Sequence, residues 1–494
     1  MLQRESQLDL LRQNIAEYCR KLAEWEAQEE TQATQVLVER SLLAPIRKLP
    51  PEVLARIFIL CLPDAEYVPV DITTMPLLTS RICYHWREVA LHTPVLWSSM
   101  ALSIPSSPSL RQSLSFPNIL RLWMTRSEPY PVSIRIGRTS GYSSNFILTA
   151  MHVVEVAAQY SHRWKRISLQ LPSFCLSPLT QIHKSDTPIL ENLSLNNTAP
   201  DPTHHLATLT FLTSPSHLRE LSLSNLPQTV WDIGDSFPST QLTKLHILRG
   251  TGARCWSAYE WLKILTLVPN ITECIAHIDN FPDRDPSQRP PRPIGTLELP
   301  HLCSLTLNIR GSNVLEHFLG GLVLPQLSYL EITGEDPWPQ SPLQSLINRS
   351  SCSLRTAIFH AGLYDPQLFV LMPSLSRLSL STHPSFGWLG IQPNLVPALT
   401  ISPFKMPIRL PQLEELSLSG DLQFSKESLC RLIRSRWGFE PGELSCLKTI
   451  VIKPHPNCVF TRDEGSLGLE DCVKEGLELE VLDQHEDACS TQGN

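Results

Sequence analysis

Three stretches of the chain repeat one pattern: LPHLCSLTLNIR at 299–310, LPQLSYLEITG at 324–334 and LPQLEELSLSG at 410–420. In each, the Leu after the Pro opens an apolar-x-x-apolar-x-apolar run, as in Leu302/Leu305/Leu307, Leu327/Leu330/Ile332 and Leu413/Leu416/Leu418. Alternate residues of an extended chain point to one side, so each run predicts a short strand with its leucines on one face. The Pro stands at strand entry, where no ladder donor is lost.

The same run recurs on both sides of these three. It reads Trp164/Ile167/Leu169, Leu190/Leu193/Leu195, Leu218/Leu221/Leu223, Leu242/Leu245/Ile247 and Ile271/Cys274/Ala276 upstream. It reads Leu354/Ala357/Phe359, Leu375/Leu378/Leu380 and Leu447/Ile450/Ile452 further on. Steps between first positions are mostly 24–29 residues, with longer ones before Leu413 and Leu447. That spacing resembles a leucine-rich repeat, whose period is 20–29 residues. Helical periodicity lies between many of the strands, at 146–158, 256–267, 314–322 and 426–436. Strand then helix, repeated, predicts an α/β fold: a curved leucine-rich-repeat-like solenoid over 99–482 with one continuous core. The Asn expected eight residues after the first Leu is missing, since position 226 is Leu and position 310 is Arg. The repeats are therefore degenerate, with irregular turns and a Pro-rich loop at 282–293.

Upstream, residues 46–63 read IRKLPPEVLARIFILCLP. Two prolines stand where a helix starts, and Glu52 suits its positive end. The helix behind them is apolar nearly all round, so it must be covered nearly all round. A module this small buries too little surface to do that alone, which predicts a partner on one face. A second helix is predicted from Met75 to Pro94, capped by Thr74, and Leu96-Trp97 then begins an extended segment.

These residues resemble the F-box family: Leu49-Pro50, Glu52-Val53-Leu54, Ile57-Phe58, then Cys83-x-x-Trp86-Arg87 with Val89, and Leu96-Trp97. The resemblance covers residues 46–98 and is nearest to the F-box proteins of mushroom-forming fungi, which end the box with Thr-Pro-x-Leu-Trp. It departs from the pattern in a long join at 63–76. It implies docking on a Skp-type adaptor of a cullin–RING ubiquitin ligase through Leu49, Pro50, Val53, Leu54, Ile57, Phe58, Leu62, Trp86 and Val89. The plain alternative is a helical hairpin whose Phe and Trp are core.

Residues 1–44 predict an N-terminal helix. Leu8, Leu11, Ile15, Tyr18, Leu22 and Trp25 alternate in steps of three and four. This is a heptad seam that either pairs two copies in a short coiled coil, giving a homodimer through residues 8–25, or folds back on its own domain.

Composition narrows the function. Lys+Arg 41 against Asp+Glu 48 gives a net charge of −7 with no dense basic block, which argues against a nucleic-acid groove. Thirteen cysteines without a Cys-x-x-Cys pair predict free thiols in a reducing compartment, with Cys61, Cys83, Cys274 and Cys303 in apolar surroundings. The first residues lack a signal-peptide core and no run is long enough to span a membrane, so an intracellular chain is expected, in cytoplasm or nucleus. No phosphate-binding glycine loop, zinc-spaced Cys/His set or nucleophile elbow is present. His85, His204 and His205 read as isolated, Asp283 and Asp285 as solvated loop charges, and 483–494 as a frayed tail. No catalytic residue, metal or cofactor is expected. The reading is a non-catalytic adaptor subunit that binds a target protein on the solenoid. The alternatives are an interaction scaffold without a ligase, or an enzyme with an unfamiliar site.

Overall fold

The computed structural model of the chain describes residues 2–138, 141, 143–199, 209, 211, 217–226, 240–248, 256–279, 295–311, 314–334, 339–360, 366–382, 390–402, 408–437, 446–456, 458–463 and 467–482. His204, His205, Asp283, Asp285, the loop at 282–293 and the tail at 483–494 lie outside the described residues. The chain divides into two compact units, Met1–Trp97 and Ser98–Asn494.

The first unit is helical. Helix α1 runs Leu2–Leu43, and a 3-10 turn follows at Pro45–Lys48. Helix α2 spans Pro51–Leu60, with Pro51 in its first position and the Val53 and Leu54 N–H groups donating to the Pro50 carbonyl at 3.1 Å. Pro costs nothing there, because that N–H would have no helical acceptor. Leu54 and Phe58, one turn apart, are buried, and Phe58 packs on Trp86 with ring centroids 5.2 Å apart.

The second helix differs from its prediction. It is split into α3 (Thr79–Ile82) and α4 (Tyr84–Leu91) by Cys83, which is extended at φ −155°. The Cys83 Sγ accepts from the Trp86 N–H at 3.5 Å, so it caps α4. Thr74 caps no helix; its hydroxyl donates to the Pro69 and Asp71 carbonyls within a turn. The Thr73 N–H and hydroxyl both donate to the Asp71 carboxylate at 2.8 Å, and they hold it below its ordinary pKa. The join at 63–76 contributes Tyr67, Val68 and Met75 to the core. Pro94–Trp97 forms a 3-10 turn rather than an extended segment, and the buried Trp97 indole donates to the Ala90 carbonyl at 2.8 Å.

The second unit is built on strands β1 (Ser99–Ile104), β2 (Val132–Arg138), β3 (Trp164–Leu171), β4 (Asn192–Asn197), β5 (Glu220–Ser224), β6 (Lys244–Leu248), β7 (Glu273–Asp279), β8 (Leu297–Glu298), β9 (Ser304–Arg310), β10 (Leu322–Val323), β11 (Tyr329–Gly334), β12 (Thr356–His360), β13 (Arg377–Ser381), β14 (Glu415–Gly420), β15 (Thr449–Pro454) and β16 (Glu478–Val481). Among the described residues, fourteen of these form one parallel sheet in chain order, while β8 and β10 pair separately. The register stacks the repeat positions. Leu193, Leu221, Leu245, Cys274, Leu305, Leu330, Ala357, Leu378, Leu416 and Ile450 form one buried row. Leu195, Leu223, Ile247, Ala276, Leu307, Ile332, Phe359, Leu380, Leu418 and Ile452 form a second. A one-residue slip would turn every leucine outward, so this register is strongly held. Strands β1, β2 and β16 extend the sheet beyond the repeats read from the sequence.

Helices lie between strands: α5 (Leu110–Arg126), α6 (Ser144–Ala158), α7 (Ala258–Leu267), α8 (Val314–Gly320), α9 (Ser341–Ser350), α10 (Leu395–Leu399) and α11 (Lys426–Ser435). The pairs α5–α6, α7–α8, α8–α9 and α10–α11 are in contact. Within the second unit, three arginines tie the helix end of one strand–helix step to the next step. Arg163, after α6, donates to the Met124 carbonyl near the end of α5 and to the Tyr130 carbonyl. Arg349, in α9, donates to the carbonyls of Leu319 in α8 and Leu322. Arg436, just past α11, donates to Leu399 at the end of α10 and to Arg409 and Leu410. Unpaired carbonyls and the negative end of the dipole favour a cation at these places. Burial pushes the Arg436 guanidinium down to about 10, which leaves it charged at neutral pH.

Candidate interaction surfaces

The α2 helix carries two apolar stripes. Leu54 and Phe58 point into the unit. Val53, Ile57 and Leu60, one residue ahead at each turn, lie about 100° round the helix. Val53 is 44% exposed, Leu60 75% exposed, and Ile57 half-buried. The nine residues that the resemblance implies therefore divide. Leu54, Phe58 and Val89 are buried in the core. Leu49, Ile57, Leu62 and Trp86 are half-buried, and Pro50 and Val53 are exposed. Leu60 is absent from the implied set although it is the most exposed apolar residue of the helix; its spacing from Val53 and Ile57 is the signal that finds it. On the second helical segment Leu78, Ile82 and Tyr84 are also exposed.

The α1 seam is open along its length. Leu8, Leu11, Ile15, Tyr18, Leu22 and Trp25 are each between 48% and 71% exposed. The alternative that this helix folds its seam onto its own chain does not hold.

The outward face of the sheet is mostly polar, with Ile275, Ile358 and Val451 among its polar residues, and several of its charges are matched between neighbouring strands. Lys244 Nζ lies 3.1 Å from Glu220 and 3.8 Å from Glu273. His246 Nε2 lies 3.0 Å from Glu273. Further along, Arg377 donates to Glu415 at 2.7 Å, and Lys448 lies 2.9 Å from Glu414. Between these groups the Tyr329 hydroxyl donates to Glu331 at 2.6 Å, with His360 3.8 Å from that carboxylate and bonded to Ser381. His360 first, and Tyr329 after it, hold Glu331 below the ordinary carboxylate range against the opposing effect of burial. Burial, aided by Glu331, pushes Tyr329 up to about 12. Both shifts run away from neutrality, whereas a general acid or base works best with a pKa near the ambient pH.

Buried polar side chains brace the turns beside this face. The Asn197 side-chain oxygen accepts from the Ser173 and Ala199 N–H groups at 2.8 and 3.0 Å, and its amide donates to the Asn225 carbonyl at 3.0 Å. Asn197 was not predicted, because it stands one place before the position where the repeat expects its Asn.

The thiols divide as well. Cys274 is buried, Cys83 half-buried, and Cys61 and Cys303 exposed, contrary to the apolar setting the sequence predicts for all four. Cys61 comes after the last turn of α2, and Cys303 lies just before a strand, so neither is on a buried row. Burial pushes Cys175 and Cys274 up to about 12, which makes them unreactive thiols. His85 is exposed on α4. Among the described residues no group of three or more His, Cys, Asp or Glu could hold a metal ion, and no helix is long and apolar enough to cross a membrane. The chain matches no model of a known protein family, and no curated protein matches its sequence.

Proposed function

We propose that the protein is a substrate-recognition subunit of a Skp–cullin–F-box ubiquitin ligase, docking through its helical module and holding a target protein on a leucine-rich-repeat solenoid. It performs no chemistry itself. It raises the concentration of its target beside the ligase's charged ubiquitin carrier. The observation that carries the reading is the stripe of exposed Val53 and Leu60 with half-buried Ile57 between them, standing directly beside the Leu54 and Phe58 core of a helix that begins behind Leu49-Pro50. Such a stripe gains stability when another protein covers it. The stacked, chain-ordered parallel strands support the second half of the reading, because that arrangement offers one long face to a partner.

The test is co-elution of the full chain with a Skp-type adaptor. Wild type should form a stable complex. Val53→Asp with Leu60→Asp removes two exposed contacts, worth together about 3 kcal/mol, and should weaken binding roughly 100-fold. The circular dichroism spectrum should stay unchanged. A wild-type chain that never co-elutes removes the ligase role. The open α1 seam favours one other reading, a scaffold that works without a ligase, and under it the same two substitutions leave cellular function untouched.

A further inference from the structure

We infer that the chain forms a parallel homodimer through α1, which brings two copies of the helical module to the same end of a short coiled coil. Six large apolar side chains, Leu8, Leu11, Ile15, Tyr18, Leu22 and Trp25, lie on one side of a 42-residue helix and all are open to solvent. Within the helix, exposed ion pairs such as Lys21–Glu17 at 2.7 Å and Arg12–Asp9 at 3.4 Å add only tenths of a kcal/mol each. Such a helix needs a second surface against its seam.

The spacing identifies that surface. Steps of three and four place Leu8, Ile15 and Leu22 at one core position of the heptad and Leu11, Tyr18 and Trp25 at the other. A second copy of the same helix offers the matching holes. Charge fixes the direction. In a parallel pair, Lys21 flanks the core on one copy and faces Glu26 of the other, and symmetry makes the contact twice. In an antiparallel pair, Lys21 faces Asn14 and Arg12 faces Cys19, with no opposite charges. The next core positions, Glu29 and Gln32, are polar, so the seam ends after Trp25 and the register is limited to one.

The direction sets where the two modules lie. Helix α1 ends at Leu43, and the turn leading into α2 starts at Pro45. A parallel pair therefore releases both helical modules at one end. An antiparallel pair would hold the two exits about 80 Å apart, at 1.5 Å per residue. Two adjacent modules would engage two adaptors at once with raised effective concentration; that last step, and only that step, rests on the adaptor reading.

Sedimentation velocity of the full chain, with no adaptor present, tests the pairing. The expected species is a dimer, and Ile15→Asp with Leu22→Asp should make it monomeric, with any loss of helical circular dichroism no larger than the 42 residues of α1 supply. Lys21→Glu should weaken the dimer about tenfold by replacing two attractions with two repulsions, and Lys21→Glu with Glu26→Lys should restore it. Mild oxidation of Leu8→Cys should add a disulfide-linked dimer absent from wild type, because parallel seams bring the two positions together whereas antiparallel ones hold them about 25 Å apart. A monomeric wild type, a dimer that survives the paired aspartates, or a Leu8→Cys chain that does not cross-link would each overturn the inference.

Discussion

Replacing Arg436 by Met asks whether buried guanidinium groups lock successive units of the second domain together. Arg436 is 1% exposed and donates to the carbonyls of Leu399 at 2.8 Å, Leu410 at 2.8 Å and Arg409 at 2.6 Å. Leu399 ends α10, and Leu410 holds a left-handed backbone at φ +50°, which a leucine adopts only when its surroundings insist. Met fills much of the space of the aliphatic stem and supplies no donor. Each buried carbonyl that loses its partner costs about 1–3 kcal/mol, and a chain relieved of a buried cation regains part of that sum. The net loss should be about 2–4 kcal/mol. Urea unfolding followed by circular dichroism should show it as a lower midpoint. Hydrogen exchange should speed up at the Leu413 amide, which donates to the Leu410 carbonyl at 3.3 Å. Arg431→Met, which breaks only an exposed pair with Glu427, is the control and should stay within about 0.5 kcal/mol. A loss under about 1 kcal/mol at Arg436 would refute the reasoning, since it would mean that the carbonyls find other partners.

Asn197→Ala strips the acceptor from two N–H donors and should cost about 2–3 kcal/mol, read as a lower thermal midpoint. Gly420→Ala places a Cβ at φ +103° and only 1.9 Å from the Thr382 hydroxyl oxygen, so the chain ends of β13 and β14 must shift; denaturant titration should show a loss of about 2 kcal/mol. Phe58→Ala empties the space against Trp86 and should destabilise the helical unit by about 3–5 kcal/mol in thermal unfolding, in contrast to Val53→Asp on the exposed stripe. Glu331 has a folded pKa below its unfolded value of 4.5, so its contribution is complete above that value and is lost as pH falls through the folded pKa. Glu331→Gln should therefore be less stable than wild type at pH 7, with the gap closing under acid, and a gap that does not narrow as the pH falls below 4.5 would contradict the assignment.

The repeat was readable because its leucines sit at fixed offsets that a parallel sheet turns into rows. Two of the strands that escaped the pattern have physical reasons, whereas β1 fits it at Trp97/Met100/Leu102. Where the first apolar residue of the run belongs, β2 has Pro131 and β16 has Gly476, although Ile134, Ile136, Leu479 and Val481 fall in place behind them. In the helical unit, α2 is apolar on nearly every side, so composition could not separate the Leu54–Phe58 core stripe from the Val53–Leu60 surface stripe. Only the packing of Trp86 and Trp97 decides which stripe turns inward. The break at Cys83 was hidden for a similar reason, because a thiol acting as a helix cap leaves no mark in apolar periodicity. Arg163, Arg349 and Arg436 look like surface charge in sequence, and become clamps because helix ends from neighbouring strand–helix steps converge on them.

The outward face of the sheet obeys a different rule from the inward one. Inward positions repeat one chemistry, since every strand must fit the same core. Outward positions alternate in sign where they are charged: Glu220 beside Lys244 beside Glu273, and Arg377 beside Glu415. Like charges directly across a parallel ladder would repel at every step of a sheet this long, so the alternation stabilises the stack itself. It also spends part of the field that a highly charged ligand would use, because Lys244 and Arg377 are each satisfied by a carboxylate within 4 Å. Under the proposed function, a partner on this face would meet hydroxyls, amides and imidazoles, with Ile275, Ile358 and Val451 among them, between the charged steps. That chemistry suits the protein target proposed for this face better than a polyanion.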